Sequence, residues 1–408
     1  MQRGSNLERL GDYNQAVILE GIRLAPEGIS RVELAEETKL SPQTVSNVVR
    51  RLLDDGMVRE DRTIINGPGK PRTVLQLENN RLLGVGIHLD PGVMTLVAVN
   101  LAGEKVAEES RPIPVGSQNE IIREITDAVN VLIRSNRHKR ANYVGVGIAA
   151  PGPIDVENGR LINPPLLNGW KGIELVGPLS KSLRMPVTLA KDTVAMTIAE
   201  QWIGGGQGHN NFIFTYVGSG IGVGMVIDGQ VVHGVSGNAG EIGHFVVGET
   251  GVECGVCGRS DCVASTLDRT FLLGLAKEGG VDLGMSEEDI AADPNAALGR
   301  LAEIAREGDE AAKKIILMVA ERLGSALGTL VSVMDLDTVF VGGHTWNDVS
   351  EFVLEPVAAV INRHFLGAGS HAVTVQNTAL GTSVGAMGGA CLILDSHISP
   401  RASSLLLR

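Results

Sequence analysis

The chain has 408 residues, of which 43% are hydrophobic and 20% charged, and its formal net charge is −12. These values are typical of a globular protein with enough interior for two or three domains, and the acidic excess argues against non-specific binding of nucleic acid. No apolar run reaches the length of a membrane span and the first residues are polar, so we expect a cytoplasmic protein with no signal peptide and no membrane partner.

The N-terminal segment is predicted to contain three helices. Apolar residues at helical spacing predict the first over residues 14–25. Ser30, followed three residues later by Glu33, has the pattern of a capping box and predicts a short second helix that ends at Thr38. A Ser-Pro pair then predicts a third helix over residues 42–54, because serine is a favoured N-cap and proline a favoured first helical residue.

The third helix has an apolar face and a polar face. Two short helices joined by a tight turn are typical of the helix-turn-helix motif, in which the start of the second of them reads base edges in the major groove. Gln and Asn can each make two hydrogen bonds to adenine, and Thr can contact a thymine methyl. We therefore predict DNA contacts from five residues of the polar face, namely Gln43, Thr44, Ser46, Asn47 and Arg50.

A β-hairpin with a basic, glycine-rich tip is predicted after the third helix. In this tip Lys70 and Arg72 would contact phosphates or a narrow minor groove. We therefore interpret residues 1–80 as a winged helix-turn-helix domain that binds double-stranded DNA. A three-helix packing domain with a solvated loop is the alternative. The segment holds 11 Lys and Arg against 12 Asp and Glu, so the acidic excess lies in the rest of the chain.

Beyond the first 80 residues the pattern changes to strands and helices of an α/β fold. Three strands, a helix over 118–136 and a buried strand over 143–149 predict a first lobe. A second unit is predicted to begin near Val187. From residue 212 it repeats the opening pattern, with a strand pair before helices and a hairpin turn at Asp228-Gly229. We predict three segments here: a first lobe at 81–190, a second lobe at 191–380, and a C-terminal helix at 381–408 that returns to the first lobe.

Three of the four cysteines follow a histidine within one short segment of the second lobe. Zinc prefers four nitrogen and sulfur ligands in a tetrahedron, and a closed set of three Cys and one His is usually structural. Intervening glycines allow the turns that convergence on one ion requires. The sequence therefore predicts a Zn²⁺ site in a reducing compartment, with His244, Cys254, Cys257 and Cys262 as ligands. Three unrelated thiols and a loop histidine are the alternative.

Several runs resemble, in order along nearly the whole chain, the ROK family (repressors, open reading frames and sugar kinases), and specifically its winged-helix transcriptional regulators. They are residues 41–46, 147–153, 218–222, 237–244 with the cysteines that follow, 341–343 and 385–386. The resemblance implies a two-lobed actin-like or hexokinase-like body of the ribonuclease H-like type, a structural zinc, and homodimers or dimers of dimers. It also implies a DNA-binding regulator, expected to repress genes of sugar or carbon metabolism from a palindromic operator, with a sugar or sugar derivative as effector.

One departure from the family concerns the loop that holds ATP phosphates in its kinases. Those kinases carry an Asp-x-Gly-Gly-Thr loop, and residues 88–92 of this chain read His-Leu-Asp-Pro-Gly. Proline removes a phosphate-facing N–H group, and the carboxylate of Asp90 would repel a phosphate. We therefore expect no enzymatic activity. The alternative is a sugar kinase with an added DNA-binding domain, in which Asp192 would act as the base toward a sugar hydroxyl.

The sugar pocket of the family is only partly present. The resemblance implies ligand contacts from Asp192, Glu241 and His244, but Lys191 stands where the family has Asn, and Ala264 stands where a further sugar-contacting Glu is usual. Each unpaired group would cost about 1–3 kcal/mol of binding free energy. Three effectors stay open: a simple hexose, a phosphosugar or sugar acid paired with Lys191, or no small molecule and control by a protein partner. Loop capping is the alternative role of Asp192 and Glu241.

Overall fold

The structure is a computed structural model that describes residues 7–64, 71–139, 142–165, 167–248 and 252–398. Within these residues, a small N-terminal domain precedes two lobes that are each built on a five-stranded sheet. Lys70 and the rest of the predicted wing tip lie outside the described residues.

The N-terminal domain has the predicted order of elements. They are α1 (Leu7–Arg23), β1 (Ile29–Ser30), α2 (Arg31–Thr38), α3 (Pro42–Asp54), β2 (Val58–Ile64) and β3 (Arg72–Leu77). The hydroxyl of Ser30 accepts a bond from the backbone N–H of Glu33, whose carboxylate accepts one from the backbone N–H of Ser30, so the capping box is confirmed. Helix α1 begins seven residues before its predicted start, because Gly11 and polar neighbours interrupt the apolar pattern there.

Helix α3 supplies much of the core of this domain. Its apolar face, Val45, Val48, Val49 and Leu52, is buried against α1, α2 and the small sheet, in which β3 pairs with both β1 and β2. Because that face is fully used, the opposite face remains outward, as a helix that enters a DNA groove requires.

The first lobe is built on five sheet strands, with α4, the short β8–β9 pair and α5 inserted between them. Its elements are β4 (Leu83–Asp90), β5 (Val93–Asn100), β6 (Lys105–Pro112), α4 (Gln118–Ser135), β7 (Tyr143–Ala150), β8 (Ile154–Asp155), β9 (Arg160–Leu161), α5 (Val176–Leu183), β10 (Val187–Lys191) and α6 (Asp192–Ile203). The sheet order is β10-β7-β4-β5-β6, with β4, β5 and β6 antiparallel and β7 and β10 parallel to β4.

The prediction that a second unit begins near Val187 is wrong. Strand β10 is apolar and pairs with β7, and α5 provides the crossover that a parallel pair needs.

The second lobe repeats this topology. Its elements are β11 (Phe212–Val217), β12 (Ile221–Ile227), β13 (Gln230–Val231), α7 (Val263–Thr266), α8 (Arg269–Glu278), α9 (Glu287–Ala292), α10 (Pro294–Glu307), α11 (Glu310–Met334), β14 (Thr338–Gly342), α12 (His344–His364) and β15 (Thr374–Asn377), and the chain then returns to the first lobe as α13 (Val384–Ile398). The sheet order is β13-β12-β11-β14-β15, with three antiparallel strands followed by two parallel ones. Two related lobes are therefore confirmed, as is the hairpin turn at Asp228-Gly229, where both residues have positive φ.

Helix α13 packs on the sheet of the first lobe at backbone contact distance. A Cβ atom on Gly86 would lie 1.8 Å from the carbonyl oxygen of Ala386, and one on Gly147 would lie 1.9 Å from that of Gly389. No side chain can stand between helix and sheet at these points. The glycines therefore set how closely α13 approaches the sheet, and at these two positions no side chain is present that could change that distance.

Helix α6 runs from the cleft between the lobes to the N-terminal domain. Asp192 is its first residue, and Trp202 lies in its last turn. The guanidinium of Arg23 in α1 stands 4.4 Å from the centre of the Trp202 ring and donates a hydrogen bond of 2.9 Å to its carbonyl oxygen. Both side chains are 4% exposed, so this contact is a buried part of the junction between the domains.

Helix α11 is long and apolar enough to cross a membrane by length and composition, although the apolar pattern of the sequence did not suggest a span. Half of its most apolar window is buried, and it packs against α10 and α12. Its apolar character serves the core of the second lobe, since its buried residues belong to one large cluster with those helices.

Candidate metal centre, ligand pocket and DNA interface

The four predicted metal ligands converge in the second lobe. His244 ends a short 3-10 turn (Ile242–His244), and Cys262 is the N-cap of α7. The ligand atoms of His244, Cys254, Cys257 and Cys262 all lie within 4.8 Å of one another. The Sγ of Cys254 is 3.8 Å from the Nδ1 of His244, and the Sγ of Cys257 is 3.8 Å from that of Cys262.

These distances suit a tetrahedral ion. A tetrahedron with metal–sulfur bonds of about 2.3 Å has edges of about 3.8 Å between its ligand atoms. Three thiols and one imidazole are the soft and borderline donors that zinc prefers over magnesium or calcium. The cluster is therefore a candidate metal site of the kind that holds a loop in place.

The four predicted ligand-binding residues line one pocket in the cleft. Its volume is about 340 Å³, and Lys191, Asp192, Glu241 and His244 all contribute to its wall. Gly152 lies against two of these, because a Cβ added to it would stand 3.5 Å from both Glu241 and Lys191. Strand β10 ends at Lys191 and α6 begins at Asp192, so both residues lie at one position of the pocket wall. Glu241 and the candidate metal ligand His244 reach the same wall from a loop of the second lobe.

Lys191 and Glu241 form an ion pair across the pocket wall. The Nζ of Lys191 is 2.5 Å from an oxygen of Glu241 and donates a second bond of 3.1 Å to the carbonyl oxygen of Ala239. The side chain of Lys191 is 4% exposed, whereas that of Glu241 is 52% exposed. The ammonium therefore positions the Glu241 carboxylate in the pocket, and an anionic ligand would have to displace that carboxylate to reach Lys191.

Asp192 has an unusual protonation equilibrium. Burial raises the pKa of its carboxyl to about 7, and this effect exceeds the opposing effects of the Lys191 charge and of the Thr193 N–H, which donates to the carboxylate. Near neutral pH the residue can therefore exist as an acid that donates a hydrogen bond or as a carboxylate that accepts one. Either form suits a ligand hydroxyl.

Asn238 supports the loop that leads to Glu241, and the sequence analysis did not single it out. Its side-chain oxygen accepts a bond of 2.7 Å from the backbone N–H of Ile154, and its side-chain nitrogen donates one of 2.8 Å to the carbonyl oxygen of the same residue. The amide thus ties the loop before Glu241 to the first lobe. Its place in the 237–244 run was the only signal, and an Asn between glycines does not by itself reveal a distant backbone partner.

The altered phosphate loop carries a cluster of polar side chains from both lobes. Asp90 ends β4, and a Pro91-Gly92 turn joins it to β5. The hydroxyl of Tyr216 donates to a carboxylate oxygen of Asp90 at 3.1 Å, and the Nδ1 of His344 lies 3.4 Å from the same oxygen. Asp90 therefore places a carboxylate with partners from β11 and α12 at the turn between the first two strands of the first lobe.

The predicted DNA contacts lie on the outward face of α3. Gln43, Asn47 and Arg50 are exposed, and the side-chain amide of Gln43 donates to that of Asn47 at 3.2 Å. Thr44 and Ser46 are half-buried, and the Thr44 hydroxyl is 2.9 Å from that of the N-cap Ser41. Arg72 is exposed at the start of β3, as a wing residue must be, and Lys70 lies outside the described residues.

Comparisons with known proteins cover both parts of the chain. Residues 85–396 match the ROK family and residues 12–63 match the MarR family. The xylose repressor of Caldicellulosiruptor bescii is 26% identical over 395 residues, which are 96% of this chain and 97% of that protein.

Two solved structures show which part each class of relative shares. A ROK family transcriptional regulator, described as a homolog of the Escherichia coli MLC protein, superposes with a TM-score of 0.77 at 22% identity and covers 94% of this chain and 96% of its own. A ROK family glucokinase from Streptomyces griseus, in complex with glucose and AMPPNP, has a TM-score of 0.62 at 26% identity and covers 98% of its own chain but 76% of this one. The chain therefore belongs to the ROK family, and its winged helix-turn-helix domain places it among the transcriptional regulators of that family.

Proposed function

We propose that this cytoplasmic protein represses genes of sugar or carbon metabolism and that a ligand in the cleft pocket alters its affinity for DNA. The observation that carries the proposal is helix α6, which begins at the pocket residue Asp192 and ends beside the DNA-binding domain. The buried contact between Arg23 and Trp202 joins that end to α1. A shift of α6 when the pocket is filled would therefore move the DNA-binding domain. By linkage, DNA would change the affinity for the ligand by the same factor.

DNA recognition is assigned to the polar face of α3 and to the wing. Gln43, Asn47 and Arg50 are exposed and would reach base edges or phosphates, and Thr44 and Ser46 would approach the backbone from the start of the helix. Lys70 and Arg72 of the wing would contact phosphates. We propose a homodimer or a dimer of dimers, because two winged domains related by twofold symmetry match a palindromic operator whose half-sites are separated by whole helical turns.

The ligand is proposed to be a sugar or sugar derivative. Asp192 and Glu241 offer carboxyl groups to hydroxyls, and His244 lines the same pocket. The name of the xylose repressor that this chain resembles supports a sugar as effector. Zinc, bound by His244, Cys254, Cys257 and Cys262, would fix the loop that carries Glu241 and His244. An anionic sugar is less favoured, because Lys191 is already paired with Glu241.

Phosphoryl transfer is not part of the proposed function. A carboxylate at Asp90, held by Tyr216, would repel the phosphates of ATP, and Pro91 offers no N–H group to them. Sugar-dependent hydrolysis of ATP, measured in a coupled assay with common hexoses and pentoses, tests this exclusion. Turnover that disappears in Asp192→Asn would support the kinase alternative instead.

The first experiment is selection of bound sequences from a randomised duplex pool, repeated with a panel of sugars and sugar phosphates. We expect a palindromic site whose binding changes with one compound. A palindrome that no compound affects would remove the ligand-control part of the proposal. The absence of any enriched sequence would remove the DNA-binding part.

Two substitutions then test the assignment of contacts. Asn47→Ala should relax the preference for one base pair by about 1–3 kcal/mol, whereas Arg72→Ala should weaken binding to all sequences and lower the salt slope by about one. Arg363→Ala, an exposed arginine of α12, is the control and should change neither quantity. An unchanged salt slope in Arg72→Ala would contradict the wing assignment.

A further inference from the structure

A second cavity lies beside the ligand pocket, inside the second lobe. Its volume is about 320 Å³. The cavity and the pocket share part of their walls, namely Ser219, Gly220, Ile221, Ala264 and Asp268. The two spaces are therefore neighbours across the turn that follows β11 and the first turn of α7.

The inner wall of this cavity is aliphatic. Side chains that are each at most 8% exposed come from three helices, α10, α11 and α12, and they are Leu298, Leu301, Ile315, Ile316, Leu323 and Val353. Water in such a space would lack hydrogen-bond partners, and an apolar cavity of about 150 Å³ is already large enough to bind benzene. The cavity thus suits an aromatic ring or a group of similar size and polarity.

The polar groups near the mouth are satisfied by the protein. Arg269 and Thr345 both donate to the carbonyl oxygen of Gly218, at 2.7 and 3.1 Å, and the carboxylate of Asp268 accepts a bond from the backbone N–H of Phe271. Because these groups already have partners, they do not require a polar guest. The mouth therefore does not oppose the apolar character of the interior.

Small residues form the boundary between pocket and cavity. A Cβ atom on Gly220 would meet no atom within 4 Å, so the space beside this residue is open. Ala264 contributes only a methyl group, which stands 3.8 Å from the position of a Cβ on Gly243. A ligand whose polar part contacts Asp192 and Glu241 could therefore extend an apolar part past Gly220 and Ala264.

We propose that the ligand of the cleft pocket is a sugar conjugate with an apolar substituent, an aryl glycoside in its simplest form, whose apolar group enters this cavity. The inference rests on the proposed sugar-responsive function, since it names the class of ligand that the cleft pocket takes. It predicts that the apolar group supplies a large share of the affinity, because aliphatic side chains of three helices would cover part of its surface.

The test compares methyl and phenyl glycosides of xylose and glucose, in both anomers, by calorimetric titration of the full chain. We expect at least one phenyl glycoside to bind ten times more tightly than the matching methyl glycoside. Equal affinities, or no binding by any phenyl glycoside, would overturn the inference.

DNA affinity is measured in parallel with the same compounds. Binding of a phenyl glycoside that leaves DNA affinity unchanged would support the inference and contradict the proposed function. If only methyl glycosides changed DNA affinity, the result would support the proposed function and contradict the inference.

Filling the cavity provides the second arm. Val349 of α12 and Val319 of α11 line the cavity from different helices. Val349→Phe and Val319→Phe should each abolish the tighter binding of the phenyl glycoside, while the affinity for the methyl glycoside stays within twofold of the wild type. Val333→Phe, the same change at an exposed position of α11, is the matched control and should retain the advantage. Retention of the advantage in both cavity variants would overturn the inference.

Discussion

The two lobes share one strand order but are packed in different ways. In the first lobe, Gly86 and Gly147 bring α13 into contact with the backbone of the sheet, so that helix and sheet meet there without intervening side chains. In the second lobe, helices cover the sheet with side chains and leave a cavity of about 320 Å³. The same topology therefore gives the first lobe a helix–sheet contact with no side chain to change its spacing, and the second lobe a cavity that could accept part of a ligand.

This difference matches what each lobe contacts. The rigid first lobe carries α6 and α13, which adjoin the DNA-binding domain. The second lobe carries the metal ligands and most of the pocket wall. In a protein that converts ligand binding into movement, the lobe that contacts the ligand has to change its conformation, and the other lobe has to transmit the displacement without deforming. The displacement would be lost if both lobes deformed.

Gly147→Ala should produce the largest loss of stability. Its methyl group would lie 1.9 Å from the carbonyl oxygen of Gly389, so α13 would have to move as a whole. We expect a loss of about 4 kcal/mol or more in the free energy of unfolding, beyond the usual cost of overpacking, measured by denaturant titration. Gly220→Ala in the second lobe meets open space and should cost less than about 1 kcal/mol. Similar losses in both variants would contradict the contrast between the lobes.

Loss of the metal site should be the next largest effect and should be confined to the second lobe. Cys262→Ala removes one of four convergent ligands, and we expect loss of about one zinc per chain and of about 3 kcal/mol of stability. Elemental analysis and thermal melting measure these quantities. Cys391→Ala, a buried cysteine of α13 in the first lobe, is the matched control and should keep its zinc. Wild-type protein without bound zinc would contradict the assignment of the site.

Asp192→Asn tests the junction between the lobes through pH. Burial raises the pKa of Asp192 from 3.8 to about 7, so its contribution to stability is fully present below pH 3.8 and is lost as the pH rises through about 7. The variant should therefore gain stability relative to the wild type between pH 5 and pH 8, by about 2.5 kcal/mol. Asp127→Asn, the same change at an exposed position of α4, is the control. A difference between variant and wild type that does not depend on pH would contradict a raised pKa.

The smallest effect is expected where the first lobe meets the DNA-binding domain. Arg23→Gln removes the cation from the Trp202 ring, and we expect the change of DNA affinity caused by an effector to fall about fivefold, or about 1 kcal/mol. DNA affinity without effector should stay within about twofold, since Arg23 is buried away from α3. Arg31→Gln, whose partner Glu60 lies in the same domain, is the control. If the effector changed DNA affinity in Arg23→Gln as much as in the wild type, α6 would not be the element that transmits ligand binding to the DNA-binding domain.

Local signals allowed much of the fold to be predicted. Ser30 and Ser41 mark helix starts by their chemistry, Asp228-Gly229 marks a hairpin, and the spacing of His244 and the cysteines indicates a metal site. Each of these signals acts within a few residues, where propensity and spacing decide the structure.

Contacts between distant residues could not be predicted in this way. Strand β10 looked like the start of a new unit because nothing within its own five residues reveals that its partner is β7. Tyr216 meets Asp90 across 126 residues, and Arg23 meets Trp202 across 179. The second cavity had no signal at all, because it is a space left between the side chains of three helices that otherwise pack together. Sequence patterns report which residues are apolar, but not how completely they fill the space between them.

Helix α6 has a fixed length for a reason that follows from its two ends. Asp192 and Trp202 lie on one rigid helix, so the direction of each relative to the other is set by the number of residues between them. One inserted residue would lengthen the helix by about 1.5 Å and turn its far end by about 100°. Trp202 would then point away from Arg23, although every residue of the pocket and of the DNA-binding domain remained in place. The twelve residues of this helix therefore fix the direction of Trp202 relative to Asp192, and a change in their number would alter that direction even if no residue were substituted.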